Sequence, residues 1–363
     1  MIVLNLKLDG IYGLDSFKID FTYPKKVVNS IIDDEHLEGR ERFRYKKAVI
    51  LMGANATGKT SLGKALLRII TFLNTGNTTP LFEMVSGDKG SFVLDFVNDG
   101  FVLHRVEVNM DVKTSTVDMK YSSSDIGVMD SYEMCVNKLE EHSLESISSL
   151  KQIIGSINYR FAYPEIETSL NLNLVDKNVF SKTLKAILET LDPTLKDISE
   201  SKDLKDTFII RRKNQEIIIQ DGKLLNKDIL SSGTSEGIDV AIFLASMMSK
   251  DKTFYYCDEH FSYIQSDIEK RIFGLMLDRI SNNEQLIFTT HNTDMLDLNL
   301  PKHSFVFLRK GNEYDDYHIS AISASEILKR NTDSVRCAVE NDVFGSMPDE
   351  SLLDELEMGW KNE

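Results

Sequence analysis

The run Gly53-Ala54-Asn55-Ala56-Thr57-Gly58-Lys59-Thr60 constrains this chain more than any other feature, because its spacing is useful at only one place in a fold. Ala48-Val49-Ile50-Leu51-Met52 before it is a short apolar run of the kind that forms a buried strand. Residues 61–70 after it read as a helix with Leu62, Leu66 and Ile69 or Ile70 on one side. A strand, a glycine-rich turn and a helix in that order aim backbone N–H groups and a helix N-terminus at an anion. The run therefore reads as a P-loop for a nucleoside triphosphate. Gly53, Asn55, Ala56, Thr57, Gly58, Lys59, Thr60 and Ser61 are the expected binding residues. The Lys59 amine would reach the β- and γ-phosphates and the Thr60 hydroxyl would ligate Mg²⁺.

Charge narrows the partners. Lys and Arg number 42 against 57 Asp and Glu, a formal net charge of −15. Such a surface repels nucleic acid over most of its area, so any DNA contact has to be a local patch. The candidate patch is Arg40, Arg42, Arg44, Lys46 and Lys47, with Phe43 and Tyr45 interleaved, though alternating arginines on an exposed strand are equally ordinary. Cys135, Cys257 and Cys337 lie far apart without metal-ligand spacing and read as small buried residues in a reducing compartment. The opening residues alternate like a strand and do not form a signal peptide. No apolar run approaches the roughly 20 residues that span a bilayer. A soluble, cytoplasmic protein with no membrane partner is expected.

Around the P-loop the chain reads as β-rich. Residues 1–7 and 16–21 look like paired strands, and 92–97 and 101–108 form a hairpin about Asn98-Asp99-Gly100. A helix is expected over 131–154, with Leu139, Ile147, Leu150 and Ile154 at helical spacing. Another runs over 180–191, ended by Asp192-Pro193. Residues 208–210 and 217–219 read as a second hairpin.

The remaining chemistry follows residue 227. Phe254-Tyr255-Tyr256-Cys257-Asp258-Glu259 is an apolar run ending in two acids, the shape of a Walker B strand. Asp258 would hold Mg²⁺ through its water shell, and Glu259 would orient and deprotonate the attacking water. Upstream, Leu230-Ser231-Ser232-Gly233-Thr234-Ser235-Glu236-Gly237 precedes an apolar helix over 238–248. Small residues there serve either as a helix cap or as an anion site. Downstream comes a helix expected to present Ile264, Ile268, Ile272, Leu275 and Ile280 on one face. The apolar run 285–289 then leads into Thr290-His291, where His291 is either a satisfied core residue or a contact for a γ-phosphate.

The order P-loop, Leu-Ser-Ser-Gly-Thr, strand ending Asp-Glu, then Thr-Thr-His-Asn resembles the ABC-type ATPases. It resembles in particular their SMC and RecF-like branch, and within it the OLD-type AAA family ATPases of bacteria. Residues 191–193 and the tail 330–348 share in the resemblance. It implies an α/β ABC-type P-loop NTPase fold: a mixed β-sheet with flanking helices in two lobes and a small helical and β insertion. The lobes would span 1–110 and 226–363, and the insertion 111–225. It also implies a head-to-tail dimer or larger homo-oligomer in which Ser231 and Gly233 reach the partner copy's γ-phosphate. His291 would be a switch histidine, catalytic beside Glu259 and Lys59. ATP and Mg²⁺ would be the ligands. By analogy with stand-alone ATPases of anti-phage systems, an effector nuclease or toxin would be the protein partner. A RecF-like DNA-repair ATPase and an ATP-gated scaffold with little hydrolysis are the alternatives.

The chain departs from that family in places. There is no Gln between Lys59 and Gln152 to sense Mg²⁺ and water, so that role has no residue. His260 follows Glu259 in an unusual loop, where a structural role is expected. The insertion is too short for a long coiled coil, and no acidic nuclease cluster follows His291. The acidic stretch 349–357 near Trp360 reads as an amphipathic helix that docks on the ATPase body or recruits another protein.

Overall fold

The structure, a computed structural model, describes all residues except 28–29, 145, 164–174, 202, 206, 213–214, 221–222, 226–229, 249–251, 314–315, 331, 348–352, 354, 358–359 and 361–363. Two six-stranded sheets carry the fold. The first is antiparallel. It is ordered β2–β1–β6–β7–β8–β9 and built from β1 (Ile2–Asp9), β2 (Phe17–Asp20), β6 (Lys89–Val97), β7 (Val102–Asp111), β8 (Thr116–Asp125) and β9 (Glu140–His142). The second is ordered β10–β15–β16–β5–β17–β18. Its strands are β5 (Ala48–Met52), β10 (Asn158–Ala162), β15 (Thr253–Asp258), β16 (Gln285–Thr289), β17 (Phe305–Glu313) and β18 (Asp316–Ser323). Only β18 runs against its neighbour. Smaller sheets join β3 (His36–Leu37) to β4 (Arg40–Arg44), and β11 (Lys196–Glu200) through β12 (Thr207–Arg212) and β13 (Gln215–Gln220) to β14 (Lys223–Leu224).

Strand β5 is apolar throughout because both its faces are covered. Val49 and Leu51 meet Leu62, Leu66, Ile69 and Ile70 of α1 (Lys59–Thr75). Helix α1 packs in turn on Leu6, Leu8, Phe92 and Leu94 of the antiparallel sheet. On the other side, Ala48, Ile50 and Met52 join a core with α5 (Lys177–Leu191), α6 (Ser232–Ser246) and α7 (Ser266–Arg279). Each fully buried Ile or Leu here contributes about 1.5–3 kcal/mol. The short helices α2 (Thr79–Phe82), α3 (Tyr132–Val136), α4 (Ile147–Ile154), α8 (Ala324–Ile327) and α9 (Val335–Glu340) complete the regular elements used below. Residue 110, expected to close the first lobe, lies within β7, which pairs along its length with β8, and β10 joins the parallel sheet.

Several local expectations change. The helix expected over 131–154 is α3, edge strand β9 and α4 in succession. Only the last eight residues keep the helical period, and Ile147, Leu150 and Ile154 there pack in the α1 core. Leu275 is 39% exposed, because α7 buries the face of Ile272, Phe273 and Met276 instead. Cys135 and Cys257 are buried but Cys337 is exposed, all three with free thiols. The basic patch also breaks up. Lys46 and Lys47 are buried as the chain enters β5, their amines donating to the Asp20 and Asp33 carbonyl oxygens at 2.9 and 3.0 Å. Phe43 and Tyr45 face a separate core, and Arg40 lies 3.9 Å over the Phe101 ring. Most of the acidic stretch 349–357 lies outside the described residues. Among the described residues no helix is long and apolar enough to cross a membrane.

His104 of β7 is buried, with Nδ1 2.9 Å from the Tyr121 hydroxyl, and burial lowers its pKa to about 4. Its pKa is lower folded than unfolded, so protonation favours the unfolded chain. Stability is expected to be unaffected by this group above about pH 6.5 and to fall by on the order of 3 kcal/mol as pH drops towards 4. Denaturant midpoints of wild type and His104→Gln across that range check this: the variant should lose part of the pH dependence.

Candidate active site

The site is assembled at the carboxyl ends of three neighbouring parallel strands, β15, β16 and β5, where open α/β sheets leave a crevice. The P-loop leaves β5 and enters α1 through Gly58, which caps the helix at φ +90°, a backbone angle that excludes most side chains. Asn55 and Ala56 are exposed, Gly53, Gly58, Thr60 and Ser61 half-buried. The Thr57 hydroxyl and N–H both turn inward to the Ala54 carbonyl, at 2.8 and 3.4 Å.

Asp258 ends β15 fully buried. Its Oδ2 accepts from the Thr60 hydroxyl at 2.6 Å and its Oδ1 from the Thr289 hydroxyl at 2.6 Å. Burial raises the pKa of its carboxyl, and those two hydrogen bonds oppose the shift. Among the described residues no group of three His, Cys, Asp or Glu could hold a metal. A hydroxyl beside one carboxylate still fits Mg²⁺, which keeps several waters and takes phosphate oxygens as further ligands. Thr60 and Asp258 would hold it.

Glu259 follows in a left-handed conformation, φ +48°, that turns its side chain out of the strand. Its N–H is held by the Thr289 hydroxyl at 3.0 Å. Its Oε1 lies 2.8 Å from His291 Nε2 and 3.3 Å from Lys59 Nζ. The His291 hydrogen bond, followed by burial acting oppositely and the Lys59 charge, holds its carboxyl below the usual range. It is therefore ionised at neutral pH. Lys59 is buried against the Gly53 and Ala54 carbonyls at 2.8 and 3.2 Å. Burial lowers its pKa and Glu259 opposes that. Glu259, His291 and Lys59, expected to share the chemistry, thus meet in one cluster, beside the pair expected to take the metal.

Ser231 and Gly233 are not part of that cluster. Ser231 caps α6, accepting from the Thr234 N–H at 3.3 Å, and stays exposed at the helix N-terminus. At Gly233 a Cβ would stand 2.6 Å from the Tyr263 carbonyl oxygen, and Glu236 Oε2 accepts from the Tyr263 N–H at 3.1 Å. The motif is thus packed against the loop that follows Glu259. His260 is buried with neither ring nitrogen partnered, and burial lowers its pKa to about 4, which suits a neutral packing role.

Sequence reasoning missed Thr289, which ties Asp258 to Glu259, and Tyr163, which follows β10. Because Ala162 pairs with Cys257, Tyr163 comes level with Asp258. Its hydroxyl is buried with no partner, and burial, then the Asp258 charge, raise its pKa well above the ordinary value. No local pattern marks either residue. Tyr163 and Tyr256, whose hydroxyl donates to the Lys59 carbonyl at 2.7 Å, also dictate Gly63. A Cβ there would lie 2.5 Å from Tyr256 Cε1 and 2.7 Å from Tyr163 Oη. Gly63→Ala gains up to about 1 kcal/mol of helix propensity. It is expected to lose about 1–3 kcal/mol to overpacking against two buried rings. A lower unfolding midpoint is therefore expected, and an unchanged or higher one would show that the rings yield.

No family model matches the chain, and no curated protein does. Solved structures do. An SMC head bound to the C-winged helix domain of ScpA is similar at a TM-score of 0.54 and 13% identity, over 89% of this chain and 98% of that one. An Smc head with an extended coiled coil, bound to the C-terminal domain of ScpA from Pyrococcus furiosus, is similar at 0.55 and 11%, over 98% and 99%. With the mixed parallel sheet, the P-loop entering α1 and the acid-ended strand beside it, these likenesses establish that the chain has the ABC-type P-loop ATPase fold.

Proposed function

We propose that the chain binds ATP with Mg²⁺ and hydrolyses it, alternating between an open state and an ATP-closed head-to-tail dimer. The observation that supports this best is the convergence of Lys59, Thr60, Asp258, Glu259 and His291 at adjoining strand ends. In this reading the P-loop and Lys59 bind phosphates, and Thr60 and Asp258 hold the metal, whose charge offsets that of the phosphates. Glu259 receives the proton of the attacking water while His291 orients it. Tyr163, level with Asp258 and with its hydroxyl unpartnered, would take the role for which the sequence has no Gln. Ser231 and Gly233, at an exposed helix N-terminus, complete the site of a second copy. The two ends of the chain, 1–110 and 226–363, supply the motifs, and 111–225 is the insertion between them.

The closed dimer would be the output, holding or releasing a nuclease or toxin in bacterial anti-phage defence, in the cytoplasm. A RecF- or SMC-like role on DNA is the competing reading. The burial of Lys46 and Lys47 leaves it only Arg40, Arg42 and Arg44 as a patch. ATP turnover by the purified protein, with and without double-stranded DNA, separates the readings. Turnover indifferent to DNA supports the effector switch, strong stimulation the DNA role, and no turnover the scaffold.

A further inference from the structure

Glu269, in the first turn of α7, is a carboxylate only 2% exposed, and it touches none of the groups placed on nucleotide or metal. Its Oε1 accepts from the Thr290 hydroxyl at 2.7 Å and its Oε2 from the Asn292 side-chain amide at 2.6 Å. Those two residues flank His291. The Asn292 N–H donates to the Thr290 hydroxyl oxygen at 3.0 Å, closing the turn on itself. The Asn292 amide also donates to Ser266 Oγ at 2.9 Å, and Ser266 donates to Asp294 at 2.7 Å. Arg336 of α9 holds Asp294 and Asp297 at 2.7 Å each. His291 itself is 40% exposed at its side chain, with Glu259 Oε1 at 2.8 Å.

A carboxylate taken out of water is costly unless donors meet it. Burial accordingly raises the Glu269 pKa, and the Asn292 and Thr290 hydrogen bonds oppose the rise. A loop anchor alone needs one such bond. Here both neighbours of one histidine are gripped by the two oxygens of one carboxylate, so the ring's position follows from the grip.

We propose that Glu269 is a positioning residue: it pins Thr290 and Asn292 so that His291 Nε2 meets Glu259 Oε1. The proposal rests on the ATPase reading for its kinetic consequence but not for its geometric one. Misplacing a reacting group by an ångström or so lowers a rate by about a hundredfold. Glu269→Ala should therefore lower kcat about 10- to 100-fold, to the level of His291→Ala, with KM unchanged. The double variant should be no slower than either single one, because coupled residues act non-additively. Glu269→Gln keeps the shape and one accepting oxygen and should restore part of the rate. The geometric arm is side-chain NMR of the full chain. The His291 imidazole resonance, assigned with His291→Gln, should shift on Glu259→Gln in wild type and lose that response in a Glu269→Ala background.

Multiplicative kinetic effects, or an NMR response that survives Glu269→Ala, would overturn the proposal. A wild type without turnover would sink the ATPase reading while leaving the NMR arm to decide this one. Should Glu269→Ala fail to fold, Thr290→Val, which removes one of the two donors, carries the same tests with a smaller effect.

Discussion

Glu259→Gln is expected to keep ATP binding and to lower turnover about a thousandfold. A positioned general base contributes about 10²–10⁴ to a rate. Gln preserves the side chain's shape at a backbone angle that few residues adopt, so the fold has little reason to change. What it loses is the charge that receives a proton and meets both His291 at 2.8 Å and Lys59 at 3.3 Å. Because the His291 hydrogen bond holds the Glu259 carboxyl below its usual range, protonation of this group should not limit turnover near neutral pH. With hydrolysis stalled, Mg-ATP should shift the variant towards a dimer while wild type returns to its open form. Light scattering of both proteins with and without nucleotide reads this directly. Wild-type turnover in the variant would remove Glu259 from the chemistry and point to another base.

Lys59→Ala is expected to abolish measurable nucleotide binding, a loss of at least about a hundredfold. Charge-assisted hydrogen bonds contribute about 1.5–3 kcal/mol each, and an amine between two phosphates makes more than one. The buried amine now donates to the Gly53 and Ala54 carbonyls, at the same loop whose N–H groups would face the phosphates. Its removal also takes a buried, partly desolvated charge away, so the folded protein should tolerate the change. Titration of the variant with Mg-ATP, alongside its unfolding midpoint, separates a lost ligand contact from a lost fold. Unchanged affinity in a well-folded variant would show that the loop binds phosphate without this lysine.

Much of the candidate site was legible because its signals are local. An apolar run, a glycine-rich turn and a helical period announce β5, the P-loop and α1 from neighbouring residues alone. The acid-ended strand and the histidine after β16 are equally local. The helix expected over 131–154 failed for the converse reason: a few apolar residues matched a helical period that the chain keeps only over α4. The basic patch failed where the strand ended. Alternation along β4 describes Arg40 to Arg44. Lys46 and Lys47 lead into a strand buried on both faces and turn their amines onto carbonyl oxygens.

By itself, the sequence determined that a phosphate loop sits between a buried strand and a helix, that two acids end another strand, and that the surface is acidic. Backbone spacing and side-chain chemistry settle those within a few residues. Only the tertiary structure decided which of these groups meet. The order β15–β16–β5 and the register between its strands follow from packing helices and a second sheet on both faces. That packing sets His291 against Glu259, Thr289 against Asp258 and Tyr163 level with Asp258. It also puts Glu269 under the turn that carries the histidine, a contact between distant stretches of chain that no local period records.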